Sequence, residues 1–454
     1  MKRILKIVLS VTALVLVFCC TPPEQGPIVF PNIPAGCFGA IWDTRNTSAG
    51  SSAENQVQLP LNSGGTYAFI VHWGDGSMDS ISSFDDPDIT HTYSEPGMYQ
   101  IIIEGVIDGF MFSMGGDRFK LLEIRQWGPF GLGVVESQFT GCENLTITAT
   151  DTPDLSNAAT FNRLFQDCNS LTTVSGMNSW DVSGVTSMYH TFRFCHNFNE
   201  DISGWNVSNV TTMQQMFQGC YLFDQDLSSW IVSDVTNMEG MFFSAIAFNS
   251  DIGGWDVSGV TEMASMFTHA QVFNQDIGGW VISPLVSDMS QMFSYASDFN
   301  YDISGWDVSH VTNMYGMFWG AEDFNQDLSG WEVDNVSNMS LMFDQAASFN
   351  GDISGWTVSS VTNMNGMFIG ANSFDQDLGS WDISGVTDMA DMFSSVTLST
   401  ANYDAILTSW SGQSVQDDVT FDGGFSQYSP AAAAARQVLE DDHNWTITDG
   451  GQVP

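Results

Sequence analysis

Asp75 and His91 are of the types that general acid–base chemistry uses, a carboxylate able to orient an imidazole. Both fall where local structure would claim them: Asp75 in the turn Gly74-Asp75-Gly76-Ser77, His91 in the alternating run before Tyr93. The seven histidines are scattered, and neither a His-Glu-x-x-His pair nor a Gly-x-Ser-x-Gly elbow occurs. Cys142, Cys168, Cys195 and Cys220 would suit a metal or a disulfide, but their spacing of 26, 27 and 25 residues is not that of a zinc site. The leading expectation is small buried residues, with one disulfide or a metal as alternatives. Asp201, Asp226, Asp251, Asp276, Asp302, Asp327, Asp352 and Asp377 also recur at this interval. A column of like charges must gain something back. Either each carboxylate accepts backbone N–H bonds from the bend that follows it, or the column holds calcium, most simply at Asp276, Asp302, Asp327 and Asp352.

These residues share one positioning device. Tryptophans stand at 180, 205, 230, 255, 280, 306, 331, 356 and 381, steps of 25 residues except for 26 across Pro284. Around each, Val, Thr or Ser, Met, Met-Phe, Ala or Cys and Phe-Asn-x-Asp-Ile/Leu return in phase. A unit this short cannot close a core alone, so the units must stack into a solenoid. The Met column (188 to 389) and the Phe column (192 to 393) lie four apart in most units, which suits one inward-facing helical turn. The stretch Phe-Asn-x-Asp-Ile-x-x-Trp reads as one short strand per rung of a parallel sheet. Such apolar columns are core, not a cofactor box. Tyr221, Phe243, Tyr295, Tyr315 and Trp319 occupy positions that vary between units, where aromatics can serve as ligand contacts.

Charge narrows the partners. The formal net charge is -43, and no Lys or Arg lies between Arg193 and Arg436. Such a surface repels phosphate backbones, which excludes nucleic-acid binding. A hydrophobic content of 43% argues for a packed fold, not disorder.

Lys2, Arg3 and Lys6 followed by the apolar run Ile7 to Phe18 form an export signal, too short to span a bilayer. Cys19-Cys20 at its end resembles a bacterial lipobox, with Cys20 the expected site of lipidation. The expected organisation is a lipoprotein signal over 1–20, a linker over 21–36, an all-β sandwich over 37–107, an entrance cap with degenerate repeats over 108–179, the solenoid over 180–396, and a C-terminal cap over 397–454. WGDGS and HTYSEPGMYQIII resemble a PKD domain, which implies an immunoglobulin-like sandwich in which Asp75 and His91 hold turn and packing positions. The repeat W-D-V-S-x-V-T-x-M-x-x-M-F-x-x-A-x-x-F-N-x-D-I resembles the BspA-like branch of the leucine-rich-repeat surface proteins. That resemblance covers nearly the whole mature chain and implies a protein of the bacterial cell surface or outer membrane engaged in adhesion to extracellular protein or glycan. Many such relatives end in a sorting domain. This chain ends at Pro454 without one, so the lipid on Cys20 is the expected membrane anchor. No enzyme activity is expected; a structural stalk and an accessory module for polysaccharide capture or degradation are the alternatives.

Overall fold

Residues between Cys37 and Gln126 build five strands of a six-stranded sheet, and the sixth opens the long stack of short rungs that follows. The computed structural model describes residues 30–454; the export signal, Cys20 and most of the expected linker lie outside them. Ile33–Pro454 forms one unit.

The sheet contains β1 (Phe38–Asp43), β3 (Leu61–His72), β4 (Met78–Ile81), β6 (Met98–Phe110), β7 (Leu121–Gln126) and β8 (Thr146–Ile147), in the order β4-β3-β6-β1-β7-β8. A separate ribbon pairs β2 (Gln56–Gln58) with β5 (Thr90–Thr92). β1 is buried along its whole length because β6 and β7 flank it, both antiparallel. The boundary expected after residue 107 runs through β6, which continues to Phe110. Sheet and stack are joined through β7, which pairs with β1 on one side and in parallel with β8 on the other. Ile147 of β8 in turn bridges to Val174, so the parallel pairing passes directly into the repeats.

Neither local element expected within the repeat forms. No α-helix occurs between β8 and Thr400, and the Phe-Asn-x-Asp segment carries no strand. Parallel pairing shrinks to one bridge per rung, before the first Met: Ser187, Thr212, Asn237 and Glu262, then Asp288, Asn313, Asn338, Asn363 and Asp388. The series breaks once, at the extra residue near Pro284, and Ser265 N–H resumes cross-rung bonding to Ser290.

A helix is excluded by width. With side chains it occupies about 10 Å, whereas the ring centroids of Phe293 and Phe318 repeat at 5.7 Å. The chain instead turns tightly with left-handed residues at two positions per rung, such as Gln215 (φ 52°) and Gly219 (φ 73°). Within the turn Met216 N–H bonds to Met213 O (3.1 Å) and Cys220 N–H to Phe217 O (3.0 Å). The alternate amides of Met213, Gln215, Phe217 and Gly219 donate to the next rung, at 2.7–2.9 Å. Met213, Met216, Phe217 and Cys220 thereby face inward and are buried, while positions 214, 215 and 218 are partly exposed on the outer side of the turn and Gly219 is covered.

Beyond the last repeat, α1 (Thr400–Trp410) caps the stack, followed by β9 (Thr420–Asp422), α2 (Ala433–His443) and β10 (Thr446–Thr448). β9 and β10 pair in parallel, and Met389 bridges to Phe421, so the tail adds two more rungs. Among the described residues no helix is long and apolar enough to cross a membrane.

Candidate functional site

Most of the conspicuous residues are consumed by the scaffold. Each tryptophan of the 25-residue column from Trp205 to Trp381 donates its indole N–H to a carbonyl of the preceding rung, at 2.8–3.2 Å. Trp410 of α1 continues the ladder onto Leu378 O at 3.3 Å, which is how a helix can close a stack of turns. Asn and Asp at the Phe-Asn position form a second ladder, each accepting the amide of its counterpart one rung on, as Asn300 does from Asn325 (2.9 Å). Asp375 extends this ladder to Ser399, the residue that also caps α1.

The aspartate column satisfies the bend that follows it. Asp276, Asp302, Asp327 and Asp352 accept the amides of Gly278, Ser304, Ser329 and Ser354 at 2.8–3.1 Å. The Ser304 and Ser354 amides and hydroxyls hold the Asp302 and Asp352 carboxyls below their ordinary range. Among the described residues no three His, Cys, Asp or Glu side chains converge as a metal ion would require.

The four stacked cysteines are free and buried. The Cys168, Cys195 and Cys220 thiols donate to the carbonyls of Phe139, Phe165 and Phe192, at 2.9–3.2 Å. Burial pushes all four thiols up in pKa, the opposite of an activated nucleophile. Cys142, Cys168, Cys195 and Cys220 should therefore resist iodoacetamide in the folded chain and react fully in denaturant. Mass spectrometry after a timed pulse reads this directly, and native labelling of any one of them would contradict its burial.

Asp75 and His91 do meet, with His91 Nε2 2.8 Å from Asp75 Oδ2. Ser77 Oγ donates to the other oxygen of Asp75 and lies 3.4 Å from the same His91 nitrogen. One nitrogen facing both groups leaves no second one to act as base in a relay. The imidazole is also stacked on Trp73 (4.9 Å) and met edge-on by Tyr93 (4.5 Å). Partial burial raises the Asp75 pKa, but the Ser77 and His91 hydrogen bonds outweigh it and bring it to about 2. The cluster fastens the turn.

What the scaffold leaves over is the outer surface of the turns. Phe243, Tyr295, Tyr315 and Trp319 all stand on it, half-buried. Phe243, Tyr295 and Trp319 join, through His269, into a strip across four rungs: Phe243–His269 6.1 Å, His269–Tyr295 4.6 Å, Tyr295–Trp319 5.3 Å between centroids. The left-handed Gly320 (φ 68°) makes room for it, since a Cβ there would lie 2.6 Å from Tyr295 Cδ1. Tyr221 lies apart, stacked on His196 at 4.5 Å.

Sequence reasoning missed a basic group at the N-terminal end of this surface. Arg163 lies over the Tyr189 ring (4.8 Å) and Arg193 over Phe194 (4.4 Å), with Arg193 Nε also donating to Gln218. The signal was present in the sequence, since Arg163 and Arg193 are the last two cations before the long cation-free stretch. Beside them His190 is buried, with Nδ1 unpartnered. Burial, then the Arg193 charge, depress its pKa from 6.5 to about 4, against an opposing contact from Gln215. The unfolded chain thus takes up a proton that the folded chain refuses, so stability falls as pH drops from about 6.5 to about 4. His190→Gln should flatten the melting temperature across that window. An unchanged slope in the variant would place the titration elsewhere.

These features define a class, a rigid stack of 25-residue turns with fixed internal ladders and a variable outer surface. The chain belongs to the family described as "Mycoplasma protein of unknown function, DUF285", whose model matches residues 134–245, 225–329 and 287–410, together more than half of the chain. No match was found among curated proteins or among solved structures.

Proposed function

We propose that this chain is an exported, lipid-anchored binding protein of the bacterial envelope, whose repeat scaffold presents the outer turn surface to extracellular protein or glycan. In this reading Cys20 carries the anchor, the N-terminal sheet is a PKD-like sandwich acting as spacer, and the repeats are of the BspA-like leucine-rich type. The single observation that carries the reading is the aromatic strip Phe243–His269–Tyr295–Trp319. Indoles and phenols held half-exposed on a rigid frame lose little conformational freedom on binding. The fixed columns, by contrast, spend their hydrogen bonds internally.

The test is saturable binding of the purified chain to an array of extracellular proteins and glycans, with and without calcium. Binding that is lost on substituting Tyr315 and Trp319 and indifferent to calcium supports the reading. Failure to bind any member favours a structural stalk.

A further inference from the structure

Beneath three of the four rungs of the aromatic strip the turn carries no charged side chain. Each rung has four positions between its inward residues, and in the rungs beginning at Met263, Met289 and Met314 these are Ala264, Ser265, Thr268 and His269; Ser290, Gln291, Ser294 and Tyr295; Tyr315, Gly316, Trp319 and Gly320, of which Thr268, Ser294, Gly316 and Gly320 are buried. None is Asp, Glu, Lys or Arg, in a chain with 53 acidic residues. Burial lowers the pKa of His269, so it too is neutral at pH 7. Charge returns at the margins, with Glu262 and Asp288 on one side, Glu322 on the other, and Glu239 and Asp344 on the turns of the two flanking rungs.

Resting on the binding reading above, we infer that this three-rung patch, with Phe243 at its border, binds a neutral polysaccharide. His269 and Tyr295 are stacked face to face, so along the strip these rings present their edges, whose weakly positive C–H groups attract the hydroxyl oxygens of a neutral sugar. Hydroxyl and amide groups around the rings suit sugar hydroxyls, and marginal carboxylates accept hydrogen bonds from them while repelling an anionic chain. Successive rings step by 4.6–6.1 Å, a progression that an extended chain of linked pyranoses can follow. Two polar atoms in the patch, Ser294 Oγ and Trp319 Nε1, are buried without a partner in the protein. A ligand hydroxyl that reaches them as the Trp319 ring shifts breaks no protein hydrogen bond.

Affinity electrophoresis of the full chain through gels containing dextran, laminarin, mannan or xylan tests this, with polygalacturonate as the anionic counterpart and immobilised extracellular matrix proteins as a parallel arm. We expect retardation by at least one neutral polysaccharide. Trp319→Ala and Tyr295→Ala should each weaken it about tenfold or more, and Ser294→Ala should weaken it without lowering the melting temperature. Ile231→Ser, which removes an apolar side chain 62% exposed outside the turn surface, should leave it unchanged. Retardation by none of the four neutral polymers, equal retardation by polygalacturonate, or indifference to Trp319→Ala would overturn the inference. Capture by matrix proteins alone, lost in Trp319→Ala, would overturn it while leaving the binding reading intact; no binding in either arm would remove both.

Discussion

Trp306→Ala should destabilise the repeat region by about 3–5 kcal/mol, the range for emptying a large aromatic site in a packed core. Trp306 is 3% exposed, stacks on Trp280 at 6.2 Å and lies 6.1 Å from Phe293, so its removal opens a void shared by two rungs. Its indole N–H also bonds to Ile277 O at 3.1 Å, a carbonyl that the Trp280 amide already engages. That carbonyl keeps one donor, so most of the loss comes from packing. Trp306→Phe should accordingly cost about 1–2 kcal/mol, a smaller void plus one hydrogen bond. In a stack where each rung contacts only its neighbours, the damage spreads to both sides and broadens the transition. Urea denaturation followed by tryptophan emission measures both variants.

The second large effect lies where the sheet meets the stack. Lys120 is fully buried, and its ammonium lies 2.8–3.0 Å from Ser52 O, Ser52 Oγ, Ala53 O and Gln56 O, with Asp117 Oδ1 at 3.3 Å. Asp117, 1% exposed, accepts the amides of Ser52 and Gln58 and the Ser52 hydroxyl, each at 2.7 Å. The pair ties the loop before β2 to the turn before β7. Lys120→Met leaves Asp117 charged, buried and without its counterion, which costs about 3–5 kcal/mol. Lys120→Met combined with Asp117→Asn should recover a large part of that loss, because the uncompensated charge is gone. A double variant no more stable than Lys120→Met would mean that the carbonyl cage, and not the charge pair, carries the stabilisation. Melting temperatures of the three chains decide it.

The two sites differ in how far the sequence reveals them. Trp306 announces itself because a 25-residue phase can be read without knowing any backbone angle. The inward direction of Met314 and Phe318 follows from the same phase, and both are fully buried. The path between them does not follow. Spacing of four suits a helical turn, but it is equally met by a tight turn with left-handed residues at Gly316 and Gly320. What decides is the rung repeat, a property of the stack and not of the segment. Lys120 and Asp117 were invisible because their partners lie 59 to 68 residues away in an irregular loop. Of the candidate contacts, Tyr295 and Trp319 were legible as exceptions in a repeating pattern. Their union with His269 was not, since it depends on which outward position each rung uses.

The central claim is a division of labour: fixed columns build the stack, and the variable turn surface is free for recognition. Urea denaturation of Trp306→Ala beside the double variant Tyr295→Ala/Trp319→Ala tests it most directly. One deep ring is removed in the first chain and two outer rings in the second. The account predicts that the double variant loses less than half the stability lost by Trp306→Ala. A double variant destabilised as much as Trp306→Ala would show that the strip is part of the scaffold.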